Sequence, residues 1–319
     1  MHAMRDKDTM NGIRLIATGR AVPGRVVTND DLREYVDTSD EWISSRTGIH
    51  QRYFCAEGES VTTLAVEAAT KALSHGGIAP EEIGCVVCAT SSQEYMMPSL
   101  ACTVHHALGL AQDIPVLDVG AACAGFLYAM ETARGLLLGG AGRYALVVGS
   151  EQMSRLLDMS DRSTCVLFGD GAGAASIALD KDAEYEAVFG TRGDMALRAG
   201  GTTHTPMTMD GQAVFRFAVS TIPQCVQKLL EKGGVTMEDV DWVVCHQANE
   251  RILDASVRRL GCLAEKFYKN LDRYANTSAA SIPLALDEMN EAGLLKQGQR
   301  VILVGFGGGL TWAGLMLTI

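Results

Sequence analysis

The sequence predicts an α/β protein made of two similar halves, and three observations carry that reading. Its 319 residues, 47% hydrophobic and 20% charged, are ordinary globular composition at about twice the length of a typical domain. Lys71–Cys88 (KALSHGGIAPEEIGCVVC) and Lys228–Cys245 (KLLEKGGVTMEDVDWVVC) are related by a constant offset of 157 residues, with eight of 18 positions identical. Both copies share one physical grammar. An amphipathic helix ends at a Gly-Gly that can supply a left-handed cap, and a short acidic turn leads into an apolar run that reads as a buried strand. Helices alternating with such runs imply a mixed or parallel sheet with helices packed on it.

In chain order, Met1–Met10 is polar and charged and is expected to be a loose tail. The halves are expected at 11–180 and 181–319, divided at the polar Asp180–Glu186, with Ile13–Thr18 and Ala187–Gly190 as their opening strands. Apolar runs predict further strands at Cys85–Thr90, Ile114–Val119, Tyr144–Gly149, Trp242–Cys245 and Val301–Val304, and helices at Phe126–Leu138 and Ser278–Glu291. Cys165–Leu167 and Gly173–Leu179 are read as strands bracketing a glycine turn. Gly169-Asp-Gly-Ala-Gly173 lacks the Lys-Ser/Thr of a phosphate loop, so it is taken as that turn, with Asp170 structural.

Charge and cysteine usage narrow the function. A net charge of −11, from 38 acids against 27 Lys and Arg, argues against a general nucleic-acid binder. No run of about 18 apolar residues offers a membrane span. Nine cysteines spread along the chain suit a reduced, cytoplasmic protein rather than a disulfide scaffold. Cys85-Val-Val-Cys88 has the spacing of a ligand pair, but it lies in an apolar run without a second pair, so core packing and no metal are expected.

Three residues invite chemistry. Asp118-Val-Gly-Ala-Ala-Cys-Ala-Gly-Phe126 puts Cys123 between a strand and a helix among small residues. A helix start favours thiolate, and its N–H groups can hold an oxyanion; the plain alternative is a buried structural cysteine. His246 follows the second-copy strand where the first copy has Ala89, and Asn276 precedes a helix at about the position to which the offset projects Cys123. Taken singly, these two read as a structural histidine and a helix cap.

Together these residues resemble the β-ketoacyl-acyl-carrier-protein synthase III family over essentially Gly12–Ile319. The motifs are Asp40-Glu-Trp-Ile43 with Arg46-Thr-Gly-Ile49, Ala121-Ala-Cys-Ala-Gly-Phe126, Phe168-Gly-Asp-Gly-Ala-Gly173, His246-Gln-Ala-Asn249, Asn276-Thr-Ser-Ala-Ala-Ser-Ile-Pro283, and Gly307-Gly-Gly with Thr311-Trp312. The resemblance implies a thiolase-like fold, two α/β halves in α-β-α-β-α layers, and a decarboxylative condensation that starts type II fatty acid synthesis. It implies Cys123, His246 and Asn276 as the catalytic triad, and the N–H groups of Cys123 and Gly308 as an oxyanion hole. For a bound acyl-CoA it implies Thr38, Trp42, Arg46, Arg162, Gly211 and Asn249. For docking an acidic malonyl-acyl-carrier protein it implies Arg216, Arg251, Arg258 and Arg259. It further implies a homodimer and no cofactor, acyl-CoA being a substrate.

Some positions depart from the family pattern. Met97 stands where many members carry an aromatic residue at the acyl pocket, Cys245 replaces a proline, Ala275 replaces a glycine, and Ala313 is added after Trp312. Acetyl-CoA is the expected primer. The competing readings are a priming enzyme of secondary metabolism with another starter, and a non-catalytic CoA-binding or carrier-docking protein; the intact Cys123, His246 and Asn276 speak against the latter.

Overall fold

The computed structural model describes residues 12–200 and 205–319, so the expected tail at Met1–Met10 lies outside the described residues. Two sheets carry the fold. The first holds Gly12–Ala21 (β1), Ile83–Ala89 (β2), Val116–Val119 (β3), Tyr144–Glu151 (β4) and Gly171–Asp180 (β5), in the order β1-β5-β4-β2-β3. The second holds Tyr185–Thr191 (β6), Trp242–Cys245 (β7), Arg300–Gly307 (β8) and Thr311–Thr318 (β9), in the order β7-β8-β9-β6. In the first sheet β2 and β4 are parallel, and β5 runs antiparallel to β4 and β1. In the second β7 and β8 are parallel, and β9 runs antiparallel to β8 and β6. The second sheet thus repeats β2, β4, β5 and β1 in order and direction, while β3 is an extra edge strand.

The repeated Gly-Gly does the same work twice. Helices Val61–Gly76 and Gly211–Gly233 stop where Gly77 (φ 58°) and Gly234 (φ 66°) turn left-handed. A side chain there would be strained, so the second glycine of each pair ends its helix and releases the chain toward the next strand.

Successive strand residues face opposite sides of a sheet, and this alternation builds the layers. Val86 and Cys88 pack outward with helices Val61–Gly76 and Leu100–Leu108. Cys85, Val87 and Ala89 pack inward with helices Gly125–Leu138 and Ser281–Glu291, and with Val301 and Leu303 of β8. Ile302, Val304 and Phe306 face the far side, onto Gly211–Gly233 and Glu250–Leu260. The result is five layers, α-β-α-β-α. Cys85 and Cys88 lie in different cores and cannot share one ligand. Among the described residues no group of three or more His, Cys, Asp or Glu could hold a metal ion, and no helix is long and apolar enough to cross a membrane.

The expected strand at Cys165–Leu167 is absent. Asp161 accepts from Ser163 N and caps a short helix, Arg162–Cys165. Cys165 and Val166 serve a core, while Phe168 makes a single bridge to Asn276. The chain after the glycine turn becomes β5. Asp170 accepts from Ser154 N, Ser154 Oγ and Cys55 N, which makes it a structural clasp. Two short antiparallel ribbons, Arg25–Thr28 with Gln51–Phe54 and Leu197–Gly200 with Thr205–Met209, were not anticipated.

Candidate active site

Two strained turns meet between the sheets. After β3, Ala122 takes φ 47°, Ala122–Ala124 makes a 3-10 turn, and the helix runs from Gly125. After Asn276, Ser278 takes φ 50°, Ser278–Ala280 makes a 3-10 turn, and the helix runs from Ser281. A non-glycine residue at positive φ costs about 1–3 kcal/mol and persists where its surroundings over-determine it. Here each turn is braced by a glycine of the other half. A Cβ added to Gly307 of β8 would lie 2.7 Å from Cys123 N, and one added to Gly149 of β4 would lie 2.4 Å from the Ala279 carbonyl oxygen.

The segment Ser278–Ser281 bonds to two of the expected catalytic residues and packs on the turn that carries the third. Ser278 N–H donates to Asn276 Oδ1 at 2.9 Å, which leaves Asn276 Nδ2 as a donor. Three residues on, Ser281 Oγ lies 2.7 Å from His246 Nδ1. Ser281 Oγ also accepts from Gln247 N–H at 3.4 Å, and with its own proton given to Nδ1 the ring carries its proton on Nε2. The backbone of Asn276 is fixed by Leu167 O and Gly169 N–H, both at 3.0 Å.

Electrostatics sort the roles. His246 is 1% exposed, and burial lowers its pKa from 6.5 to about 3. The imidazole is therefore a neutral donor across the working pH range. Cys123 is 6% exposed; burial raises its thiol pKa from 9.0 to about 12, the Ser278 contact opposes the rise, and the Glu151 charge adds to it. Desolvation thus works against the thiolate that the turn's N–H groups favour. On the oxyanion side, Thr311 Oγ1 bridges the carbonyls of Ala121 and Gly308, tying Gly308 to the residue that enters the cysteine turn.

Ala275 explains one departure from the family pattern. It sits at φ 57° and ψ −156°, a region that essentially only glycine adopts without strain. Ala275→Gly is expected to raise stability to unfolding by about 1–2 kcal/mol, the strain relieved exceeding the added unfolded-state freedom. Chemical denaturation reads this directly; an unchanged or lower midpoint would contradict the strain.

Of the residues expected at the CoA site, Trp42, Arg46, Arg162 and Asn249 are joined by contacts. Trp42 lies in helix Asp40–Thr47, and the guanidiniums of Arg46 and Arg162 both lie 4.7 Å from its ring centroid. Arg162 is held there by a bond to Asp37 O at 2.8 Å. Thr38 Oγ1 nearby in sequence is buried without a hydrogen-bond partner among the described residues. Asn249 caps Glu250–Leu260 through Arg251 N and donates to Arg46 O at 3.2 Å, while Arg251 donates to Ser45 O at 2.7 Å. Gly211 opens the helix capped by Asp210. Arg216 and Arg258 are exposed on these two neighbouring helices, and Arg259 donates to Val219 O at 3.0 Å. Met97 is 86% exposed, so in the single chain it is not the wall of a closed acyl pocket.

Reading the sequence gave no role to Ser278, Ser281 and Glu151, and named Gly307 only as part of its glycine motif. Ser278 and Ser281 stand inside the asparagine motif, and a carboxylate ending the apolar strand Tyr144–Glu151 was itself a signal.

Comparison with known proteins bears on these observations. The family model described as 3-oxoacyl-[acyl-carrier-protein (ACP)] synthase III matches residues 117–193, and the model of its C-terminal part matches residues 230–319. A β-ketoacyl-[acyl-carrier-protein] synthase III of Clostridium acetobutylicum is 43% identical, covering 97% of this chain and 99% of its own. The crystal structure of 3-oxoacyl-[acyl-carrier-protein] synthase III from Aquifex aeolicus matches with a TM-score of 0.92 at 39% identity, over 97% of this chain and 100% of its own. A priming β-ketosynthase from a polyketide biosynthetic pathway matches with a TM-score of 0.92 at 34% identity, over 97% of this chain and 96% of its own.

Proposed function

The chain belongs to the β-ketoacyl-[acyl-carrier-protein] synthase III family of condensing acyltransferases, and from that premise we propose that it joins a short acyl-CoA, acetyl-CoA first, to malonyl-acyl-carrier protein to begin type II fatty acid synthesis. The observation that carries the reading is the segment Ser278–Ser281, which bonds to Asn276 and His246 and packs on the turn of Cys123.

The roles follow from the groups. Cys123 Sγ attacks the thioester carbonyl, coenzyme A leaves, and the acyl-enzyme is again a thioester, so little driving force is lost. Malonyl-carrier protein then loses carbon dioxide, and its enolate oxygen receives two hydrogen bonds, from His246 Nε2–H and Asn276 Nδ2–H. Both donors are uncharged and buried, which suits a site that must stabilise a forming anion without quenching it. The enolate carbon attacks the acyl-Cys123 carbonyl, whose oxyanion faces the N–H groups of Cys123 and Gly308. Carbon dioxide loss removes the need for a strong base. Coenzyme A enters as substrate, and the chain's own groups supply the rest.

The cluster around Trp42 supports the substrate classes. Trp42 offers a stacking face between two cations, and the unpartnered Thr38 hydroxyl offers a hydrogen bond. An adenine between Trp42 and Arg162 requires that guanidinium to withdraw by about 3.5 Å, one van der Waals thickness. Arg216, Arg251, Arg258 and Arg259 beside it suit an acidic carrier protein, against the grain of an acidic body. A homodimer is supported by exposed Tyr95, Met96 and Met97 and by the edge strand β3. A second copy would give Met97 the neighbour it needs to line an acyl pocket. Nine free cysteines suit the cytoplasm.

The likeness to a polyketide priming ketosynthase favours a second reading with a different starter. Incubation with a panel of acyl-CoAs, read by intact mass, separates the two. Acetyl-CoA is expected to add one acetyl group at Cys123, and malonyl-carrier protein to discharge it as a 3-oxoacyl product. Acylation by longer or branched acyl-CoAs alone would favour the second reading. No covalent gain with any acyl-CoA would overturn both.

A further inference from the structure

Arg52 is fully buried, and the reaction above gives it nothing to do. It lies on Gln51–Phe54, opposite Val27 of Arg25–Thr28. Among the described residues it makes no ion pair, and its Nε has no hydrogen-bond partner. Its other two nitrogens are given to neutral acceptors: one donates to Asn29 Oδ1 at 2.8 Å, the other to the Val166 carbonyl at 2.9 Å. Asn29 is buried too, and its Nδ2 donates twice, to Asp40 Oδ1 at 2.7 Å and to Ile49 O at 2.8 Å. A guanidinium only donates, and a carboxylate or carbonyl only accepts, so this network fixes the amide one way round. Burying a cation without a countercharge in contact is costly, and a hydrocarbon side chain would fill the space at less cost. What a hydrocarbon cannot do is hold Asn29 and Val166 at once.

The anchored points belong to the two sides of the cluster around Trp42. Asp40 opens helix Asp40–Thr47 and Ile49 follows its cap Gly48, so Asn29 grips the Trp42 helix at both ends. Val166 closes helix Arg162–Cys165, whose first residue places its guanidinium 4.7 Å from the Trp42 ring centroid. Asp161 holds the start of that short helix by accepting from Ser163 N and Thr164 Oγ1. Admitting a flat ring between Trp42 and Arg162 needs about 3.5 Å of room. With both helices pinned, that room comes from the Arg162 side chain alone, by release of its bond to Asp37 O. Resting on the function proposed above, we infer that Arg52, acting through Asn29 and the Val166 carbonyl, is a positioning residue for the nucleotide end of acyl-CoA: it keeps the Trp42 helix and the Arg162 helix at the spacing that one adenine ring fills. Arg52 is buried behind both helices and touches no substrate, so its effect on acylation runs through them.

The test compares two acetyl donors that differ only in the nucleotide: acetyl-CoA reaches the cluster, and acetyl-pantetheine stops short of it. Acylation at limiting donor is followed by rapid-quench intact mass for wild type, Arg52→Met and Asn29→Asp, with a melting curve to check each fold. Wild type is expected to prefer acetyl-CoA by about 10²-fold, from a stacking and a cation–π contact of about tenfold each. Methionine keeps the stem beside Gly169 and drops both bonds. In Arg52→Met the preference should shrink by about tenfold or more, while the acetyl-pantetheine rate stays within about threefold of wild type. Asn29→Asp keeps a partner for Arg52 but sets a carboxylate against Asp40, so it releases the Trp42 helix alone and should shrink the preference in the same way. An Arg52→Met preference equal to wild type would overturn the inference. So would an equal loss with both donors, which marks a general structural role, and so would a wild type that takes both donors equally well. If Arg52→Met does not fold, Asn29→Asp decides alone by the same readings. A wild type that neither donor acylates would sink the proposed function rather than the positioning role specifically.

Discussion

Cys123→Ser should leave the five layers standing and reduce acyl transfer from acyl-CoA by roughly 10³–10⁶-fold, the scale on which removing a nucleophile acts. Oxygen and sulfur differ little in size, and Cys123 sits in a turn set by Ala122, Ser278 and Gly307 rather than by its own side chain. Folding should survive. Chemistry should not, because a serine hydroxyl in this desolvated turn is far harder to ionise than a thiol already raised to about 12. Intact mass after incubation with acyl-CoA measures the loss, and a melting curve checks the fold. Covalent acylation of the folded serine variant at the wild-type rate would remove Cys123 from the mechanism.

Gly307→Ala is the second large effect, from one methyl group 2.7 Å from Cys123 N and 3.0 Å from Cys123 Cβ. The first neighbour is backbone, which cannot swing aside. Either β8 retreats or the cysteine turn moves, and either shift carries the Cys123 N–H and the adjacent Gly308 away from the oxyanion. A displacement near 1 Å is expected to cost about 10²-fold in kcat, with about 1–3 kcal/mol of stability lost to overpacking. The variant should therefore melt early and turn over slowly. Wild-type kcat in Gly307→Ala would mean that the glycine does not brace the turn.

Much of the fold was legible because the repeat duplicates features that constrain structure locally. A helix-ending Gly-Gly and a run such as Trp242–Cys245 behave alike in both copies, and that strand came out with its expected bounds. The short ribbons were illegible because strands such as Leu197–Gly200 are brief and half exposed, with no core face to impose alternation. Cys165–Leu167 misled because a few apolar residues serve a helix end as readily as a strand; the Asp161 cap was the discriminating signal. At the site, the sequence named residue types but not their surroundings. The desolvation of Cys123 was illegible for that reason, since burial is a property of the assembled layers and not of the turn's own letters. Glu151, Ser278 and Ser281 were invisible as a set because they lie up to 130 residues apart and meet only when the sheets stack.

The crossed bracing of the two turns has a consequence for how variation can accumulate. Each half contributes the glycine that the other half's reactive turn leans on, so neither half can drift alone. A change that loosens the seam should be felt as lost turnover before it is felt as lost solubility, and compensating changes should arise in the opposite half. Mutational tolerance is then expected to be lowest along a narrow spine through Gly149, Gly307, Ala122 and Ser278, and to widen toward the outer helices.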